Sequence, residues 1–515
     1  MTLQARPTDV VDDLLATYAD VGADAAYLAC DRHDPAATAF VLVDDDLVAT
    51  LLTYGELAEE SRRMAALLRE HGVARGDRVP VLLGKRRELP VTLLALWRLG
   101  AVHVPLFTAF ATGAIRTRVE GSSARVVVTE PDQRSKLDPL PGLDVLEVGP
   151  ALEHELSTVE PVAERVAVGG DGMIMQLFTS GTTGSPKPVT VPLRALASFH
   201  VYLQLSLDVR EDDVFWNAAD PGWAYGLYYG LAGPLVAGRP NVLHTAGFTP
   251  AGTVAVVERL GVTNFAGAPT MYRAISKSGL VEHLPLRRAS SAGEPLTPDV
   301  LAWARRVLGI EVRDHYGQTE LGMVICNSWN DDVARPVKDG SMGVPMPGYA
   351  ADVVDGQIAI DVPASPLFWF EGYHGDPEKT AERFSPDGRW YLTADTGSVD
   401  EDGYFQFTAR DDDVILAAGY RIGPFDVESV LITHPSVVDV AVVGRPDPEG
   451  VRGEVVEAFV VLADGVQDGP ELHAELTALV RDGYSRHAYP RRIHVLDALP
   501  KTPSGKVQRY LLRSL

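Results

Sequence analysis

Residues 178–188 read F-T-S-G-T-T-G-S-P-K-P, a polar, glycine-rich stretch between an apolar run ending at Phe178 and another resuming at Val189. It follows a strand predicted over Met173–Phe178 and precedes a helix predicted with Pro192 in its first turn. Strand, glycine-rich loop and helix N-terminus form the setting in which successive backbone N–H groups and hydroxyls wrap a phosphate. The spacing G-x-x-x-x-G-K-[ST] is absent, since Lys187 stands between Pro186 and Pro188. Pro188 has no N–H to offer an anion, so phosphate donors have to come from residues before it.

Helical and strand-like segments alternate on both sides of this loop. T-Y-G-E-L-A-E-E-S-R-R-M-A-A-L-L-R-E-H-G carries a capping box at Thr53 and Glu56, apolar Leu57, Met64, Leu67 and Leu68, and a closing Gly72, which predict a helix. V-P-V-L-L at 79–83, V-T-N-F at 262–265, R-R-A-S-S-A from 287 and I-E-V-R from 310 predict strands, with a helix at T-P-D-V-L-A-W-A-R-R-V-L. The pattern is that of a mixed α/β protein with helices covering its sheets. At 515 residues and 46% hydrophobic composition, the chain is too long for one compact core. Beyond the acidic turn A-R-D-D-D-V at 409–414, a helix and several strands make a small α+β domain, leaving residues 1–410 as a large domain of several sheets.

A formal net charge of −24 argues against nucleic acid or anionic membrane as partner. The acidic amino terminus lacks the apolar core of a secretory signal, and the most membrane-like window, from Pro90 to Phe107, contains Arg98, Gly100, His103 and Pro105. A buried helix followed by a strand is expected there. Cys30 and Cys326 lack C-x-x-C partners, which predicts neither a disulfide framework nor a cysteine zinc site and fits a reducing cytoplasm. Only 8 of the 46 basic residues are lysines, and two of these, Lys187 and Lys506, sit in loops rich in glycine, serine and proline. In an arginine-biased chain, a retained loop lysine points to a task for a compact ammonium.

Four motifs follow the loop in order: D-H-Y-G-Q-T-E at 314–320, Y-L-T-A-D-T-G at 391–397, A-R-D-D-D-V-I-L-A-A-G-Y-R-I-G-P-F-D-V-E at 409–428 and L-P-K-T-P-S-G-K at 499–506. With the loop, they resemble the adenylate-forming (AMP-binding) superfamily, most closely its medium-chain acyl-CoA synthetases and acetyl-CoA synthetase relatives, from about residue 50 onward. The resemblance implies an acid:CoA ligase. A carboxylic acid and ATP give an acyl-adenylate and pyrophosphate, and CoA then displaces AMP to leave a thioester.

On that resemblance, the loop Thr179, Ser180, Gly181, Thr182, Thr183, Gly184 to Lys187 holds the β- and γ-phosphates, with the Thr179, Ser180, Thr182 and Thr183 hydroxyls as donors. Gly293, Glu294 and Pro295 border the adenine, Tyr316 packs on its ring, and Asp314, His315, Gly317, Gln318 and Thr319 belong to the same nucleotide site. Asp395 accepts from the ribose hydroxyls, helped by Arg410. Glu320 and Thr179 are the implied Mg²⁺ ligands. Lys506 reaches the carboxylate oxygen and α-phosphate and stabilises the charge of in-line attack. The nucleophile is already an anion at neutral pH, so positioning and charge neutralisation supply most of the acceleration.

For the thioester step, the resemblance implies that a mobile domain, 414–515, swings about a hinge at 411–413 centred on Asp412. Ala418, Gly419 and Tyr420 then border the pantetheine channel, Arg421 lies near the adenylate, and Arg452 and Arg491 meet CoA phosphates. Gly317 stands where acetyl-CoA synthetases carry tryptophan, which implies an acid larger than propionate: medium-chain, branched or aryl. Trp223 and Tyr225, within W-N-A-A-D-P-G-W-A-Y-G-L-Y-Y-G-L at 216–231, are expected as pocket walls. Two departures touch nucleotide-contacting backbone: Pro188 with its V-T-V-P continuation, and Ala394 where relatives carry glycine. Transfer to a carrier protein or an amine, activation of an oxoacid such as nitrite, and a non-catalytic nucleotide-binding regulator stay open, as do monomer and homo-oligomer.

Overall fold

The computed structural model describes residues 6–138, 140, 142–179, 186–410, 413–417, 420–448, 454–485, 487–502 and 506–515. Among these, the larger part of the chain is built on three sheets. The largest runs in the order Val344–Pro345, Gly322–Cys326, Arg313–Gln318, Arg288–Ala292, Asn264–Gly267, Phe215–Asn217, Asn241–His244, Thr38–Val43, Ala49–Thr53. Its six middle strands, from Arg313–Gln318 to Thr38–Val43, are parallel. A second sheet orders Asp144–Glu147, Val126–Thr129, Arg78–Leu82, Val102–Pro105, Met173–Thr179 and Lys187–Pro192. Val102–Pro105 and Val126–Thr129 are buried at every position, as parallel strands are when covered on both faces. The third sheet is antiparallel: Ala351–Val354, Gln357–Asp361, Trp390–Val399, Phe405–Arg410.

The capping box forms as read: Thr53 Oγ1 accepts from the Glu56 amide and Glu56 returns to the Thr53 amide at 2.9 Å, starting the helix Tyr54–Glu70. The apolar window after Pro90 lies in a helix, Glu88–Arg98, buried from Leu89 onward, followed by the strand Val102–Pro105. Arg98 is tolerated there because its guanidinium grips Asp31 at 2.9 and 2.7 Å and Ser61 at 2.8 Å. Among the described residues, no helix is long and apolar enough to cross a membrane.

Two local expectations are corrected. The segment after the glycine-rich loop is a strand, Lys187–Pro192, pairing antiparallel with Met173–Thr179, and the helix begins only at Ala195. The loop is therefore a hairpin connection, and the alternating burial of Val189 and Val191 is a strand signal that the nearby proline obscured. Pro188 fits because Lys187–Pro192 is the last strand of its sheet, where a missing N–H breaks no ladder. The strand expected from Ile310 starts at Arg313, since Ala304–Leu308 continues the preceding helix.

A separate apolar cluster begins at Ile415 and gathers Ala417, Ile422, Val427, Leu431, Val442, Val456, Leu476 and Val480 around the sheet Val437–Pro446, Glu454–Leu462, Arg492–Val495. Asp413 is tied to this unit by Arg513 at 2.7 Å and Arg509 at 3.5 Å. The unit touches the larger part where Lys277 Nζ donates to the Val438 carbonyl at 2.5 Å.

Candidate active site

The parallel strands Arg288–Ala292 and Arg313–Gln318 end side by side, the place where open α/β sheets bind ligands. After Ala292, Gly293 at φ 99° turns the chain into Glu294 and Pro295. After Gln318 the chain reverses through Thr319–Leu321 into Gly322–Cys326, and the Tyr228 hydroxyl anchors this turn by donating to the Thr319 carbonyl at 2.9 Å. Gly317 faces the returning strand: a Cβ added there would stand 2.1 Å from the Gly322 carbonyl oxygen. The hairpin itself thus demands glycine at 317, a constraint independent of any open pocket.

The Asp395 carboxylate lies across from this hairpin, on Trp390–Val399, with Arg410 opposite it in register on the next strand. Its Oδ2 accepts from the Tyr316 hydroxyl and from Gln318 Nε2, each at 2.6 Å. Burial, reinforced by Asp395, holds the Tyr316 phenol well above its ordinary pKa, so it remains a donor. Preceding Asp395, Ala394 takes the left-handed φ of 56°, as a glycine would.

Glu320 is 7% exposed, and its Oε1 accepts from the Tyr373 hydroxyl at 2.8 Å. Lys187 Nζ sits 5.1 Å from the centre of the Tyr373 ring. Burial lowers the Lys187 pKa, Arg383 lowers it further, and Glu320 opposes both. Thr179 ends its strand half-buried beside this group, paired with Lys187, while residues 180–184 lie outside the described residues.

Lys506 enters from the smaller unit. Its side chain is exposed but has protein close around it, so desolvation lowers its pKa, with Arg410 acting in the same direction. Glu294, Asp395 and Glu320 pull it upward. Glu294 is in turn raised by burial against the pull of Arg273, Lys506 and Lys501. Lys506 is therefore within electrostatic reach of Glu294, Glu320, Asp395 and Arg410.

A hydrogen-bond relay runs behind the hairpin. The Asn327 carbonyl can only accept, so His315 Nε2, 3.2 Å away, carries the proton. Burial lowers the His315 pKa to about 3, leaving a neutral ring whose Nδ1 accepts from the Tyr202 hydroxyl at 2.7 Å. The Tyr202 oxygen is then the acceptor for Tyr225, at 3.0 Å. Asp314, with amide donors only from His315 and Leu296 among the described residues, is pushed by burial up to about 8. Trp223 packs against Phe107 and Phe110 at centroid distances of 5.3 and 5.2 Å, and its buried indole N–H finds no partner among the described residues.

The remaining sequence-predicted residues are not brought into this cleft by any described contact. Ala418, Gly419, Arg452 and Asp412 lie outside the described residues, and of Tyr420 and Arg421 only the backbone, in the strand Tyr420–Ile422, is described. Arg491 lies over the Tyr489 ring at 3.9 Å on the smaller unit. Sequence reading missed Tyr373, Arg383 and Tyr202, which belong to none of the quoted motifs, and gave no role to Tyr391, which opens the motif at 391–397; only the tertiary fold brings them to the other motif residues. Among the described residues, no three His, Cys, Asp or Glu side chains form a metal cage. Glu320 with its second oxygen unbonded among the described residues fits Mg²⁺, which takes one or two carboxylates and completes its shell with phosphate and water.

Comparison with known proteins bears directly on this cleft. Residues 29–365 match the AMP-binding enzyme family and residues 426–506 the AMP-binding enzyme C-terminal domain. The acetyl-coenzyme A synthetase of Bacillus subtilis (strain 168) is 36% identical, over 95% of this chain and 90% of that protein. The crystal structure of Brucella canis acyl-CoA synthetase matches with TM-score 0.77 at 42% identity, covering 99% of both chains. A benzoate CoA ligase from Burkholderia xenovorans LB400 matches with TM-score 0.84 at 29% identity, covering 95% of this chain and 99% of that one. On these matches the chain belongs to the AMP-binding enzymes as an acyl-CoA synthetase, an AMP-forming ligase that uses ATP to join an acid to CoA through an acyl-adenylate.

Proposed function

We propose that the acid is larger than propionate, medium-chain, branched or aryl, and that the residues of the cleft divide the adenylation step among them. Lys506 neutralises charge as the carboxylate attacks the α-phosphate, Asp395 and Arg410 hold the ribose, and Tyr316 with Gly293–Pro295 borders the adenine. Lys187 and Thr179 face the outer phosphates. Mg²⁺ on Glu320 and Thr179 would offset phosphate charge during transfer. The hydrogen bonds that join Tyr316 and Gln318 to Asp395 carry this reading, with Lys506 in electrostatic reach of Asp395 and Glu320, because they bring residues of separate motifs together.

Trp223 and Tyr225, half-buried ahead of the buried run Gly226–Val236, are taken as walls of the acyl pocket. For the thioester step, residues 414–515 turn about 411–413. Asp413 is tied to the small unit by Arg509 and Arg513, and Arg410 to the large one by its strand, which supports a pivot between these two residues.

Acid-dependent ATP–pyrophosphate exchange across acetate, propionate, butyrate, hexanoate, isobutyrate and benzoate, followed by thioester detection with CoA, tests the reading. Exchange with at least one of the larger acids is expected to exceed that with acetate by about tenfold or more, in line with a few buried methylenes. A preference for acetate overturns the substrate assignment.

A further inference from the structure

Arg383 belongs to none of the quoted motifs and follows the short helix Pro377–Ala381, yet its guanidinium reaches Gln318 of the motif at 314–320. Its Nη2 donates toward the Tyr391 hydroxyl at 2.9 Å, the Thr393 carbonyl at 3.0 Å and Gln318 Oε1 at 3.1 Å. Burial opposes its charge, but the Tyr391 and Tyr373 oxygens and Glu320 hold its pKa above the ordinary arginine value.

The Gln318 amide sits between two kinds of partner. Its Oε1 faces donors, Arg383 and the Tyr391 hydroxyl at 3.2 Å, while its Nε2 faces acceptors, Asp395 Oδ2 at 2.6 Å and the Thr393 carbonyl at 2.8 Å. Turned over, the amide would press its oxygen against the Asp395 carboxylate and the Thr393 carbonyl and its NH₂ against the Arg383 guanidinium, so that of the four contacts only the one with the Tyr391 hydroxyl, which can also accept, could be kept. A fixed cation on the far side therefore decides which end of Gln318 meets Asp395. With Tyr316 and Gln318 both on Oδ2, the Asp395 carboxylate is held in one orientation and Oδ1 is left free of hydrogen bonds among the described residues.

We infer that Arg383 is a positioning residue for the nucleotide: through Gln318 it sets the Asp395 carboxylate to accept the ribose hydroxyls. The inference rests on the reading of Asp395 as the ribose acceptor. Arg383 is also within electrostatic reach of Lys187 and Glu320, so its loss weakens the phosphate end as well, and a raised KM for ATP alone does not isolate the positioning role.

Discrimination between ATP and its 2′-deoxy and 3′-deoxy analogues isolates it, because phosphate effects cancel in the ratio. Using kcat/KM for acid-dependent pyrophosphate exchange, the wild type is expected to disfavour at least one deoxy analogue by about 10- to 100-fold, the loss of a hydrogen bond to a charged acceptor. Arg383→Met is expected to shrink that ratio to within about threefold, and Arg383→Lys, which keeps the charge without the planar fork, to an intermediate value. A wild-type ratio in Arg383→Met overturns the inference. If Arg383→Met does not fold, Arg383→Lys decides by the same ratio, an unchanged value overturning it. Asp395→Asn separates the two layers: discrimination surviving in Asp395→Asn refutes the ribose assignment and the inference together. Discrimination lost there but kept in Arg383→Met refutes the inference alone.

Discussion

Replacing Lys506 by alanine is expected to slow adenylation by about a thousandfold and leave the thioester step nearly untouched. The side chain is within electrostatic reach of Glu294, Glu320, Asp395 and Arg410. A unit charge about 4 Å from a developing charge, at an effective dielectric near 20, is worth ~4 kcal/mol, or ~10³ in rate. On the proposed domain rotation, that stabilisation belongs to one half-reaction. Pyrophosphate exchange measures the first step, and thioester formation from supplied acyl-adenylate and CoA measures the second. On the proposed role of Lys506 in adenylation alone, the second should change by less than about threefold. Equal loss in both assays would refute the assignment of Lys506 to adenylation and with it the need for domain rotation.

Three further outcomes follow from the geometry. Burial alone would raise the Asp31 pKa, but Arg98, Arg165 and Arg62 overcome it and bring the carboxyl down to about 2 from 3.8. Its contribution is therefore present above pH 4 and lost as pH falls through 2, and this shift is worth about 2 kcal/mol. The stability gap between wild type and Asp31→Asn in denaturant titrations should narrow by that amount between pH 5 and pH 2, and a constant gap contradicts the ion-pair account. Ala394→Gly should relieve about 1 kcal/mol of left-handed strain and raise the melting temperature; an unchanged or lower value speaks against strain at that turn. Gly317→Ala should cost about 1–3 kcal/mol and slow adenylation, because its Cβ displaces the turn carrying Thr319 and Glu320. Gly317→Trp has to move the same backbone before it can fill any pocket, so a clean shift to short acids with unchanged melting temperature would show that the hairpin yields easily.

The proposed catalytic set was named from the chain because adenylation needs particular groups in a recurring order: hydroxyls and lysine for phosphates, an acid for the metal, an acid for the ribose, a lysine for the reacting centre. Glu320, Asp395 and Lys506 come from motifs separated by more than a hundred residues at their widest, and the fold brings them within electrostatic reach of one another. Local structure was less legible at the loop itself. Two prolines and a run of polar residues hid a β-hairpin whose partner strand is recognisable only from the buried Val189 and Val191. Arg383 and Tyr373 carried no signal at all, since an arginine or tyrosine in a polar segment has no reason, read locally, to face inward.

The sequence by itself determined the α/β class and the family chemistry, because those depend on side-chain type and order. The tertiary structure alone decided that the glycine-rich loop joins two antiparallel strands and that Gly317 is demanded by a returning backbone. It also decided that Arg383 donates to Gln318 and that Lys506 comes within electrostatic reach of Asp395 and Glu320. Each of those depends on which groups come within hydrogen-bond or electrostatic reach across the fold, and such distances are set by packing between segments far apart in the chain.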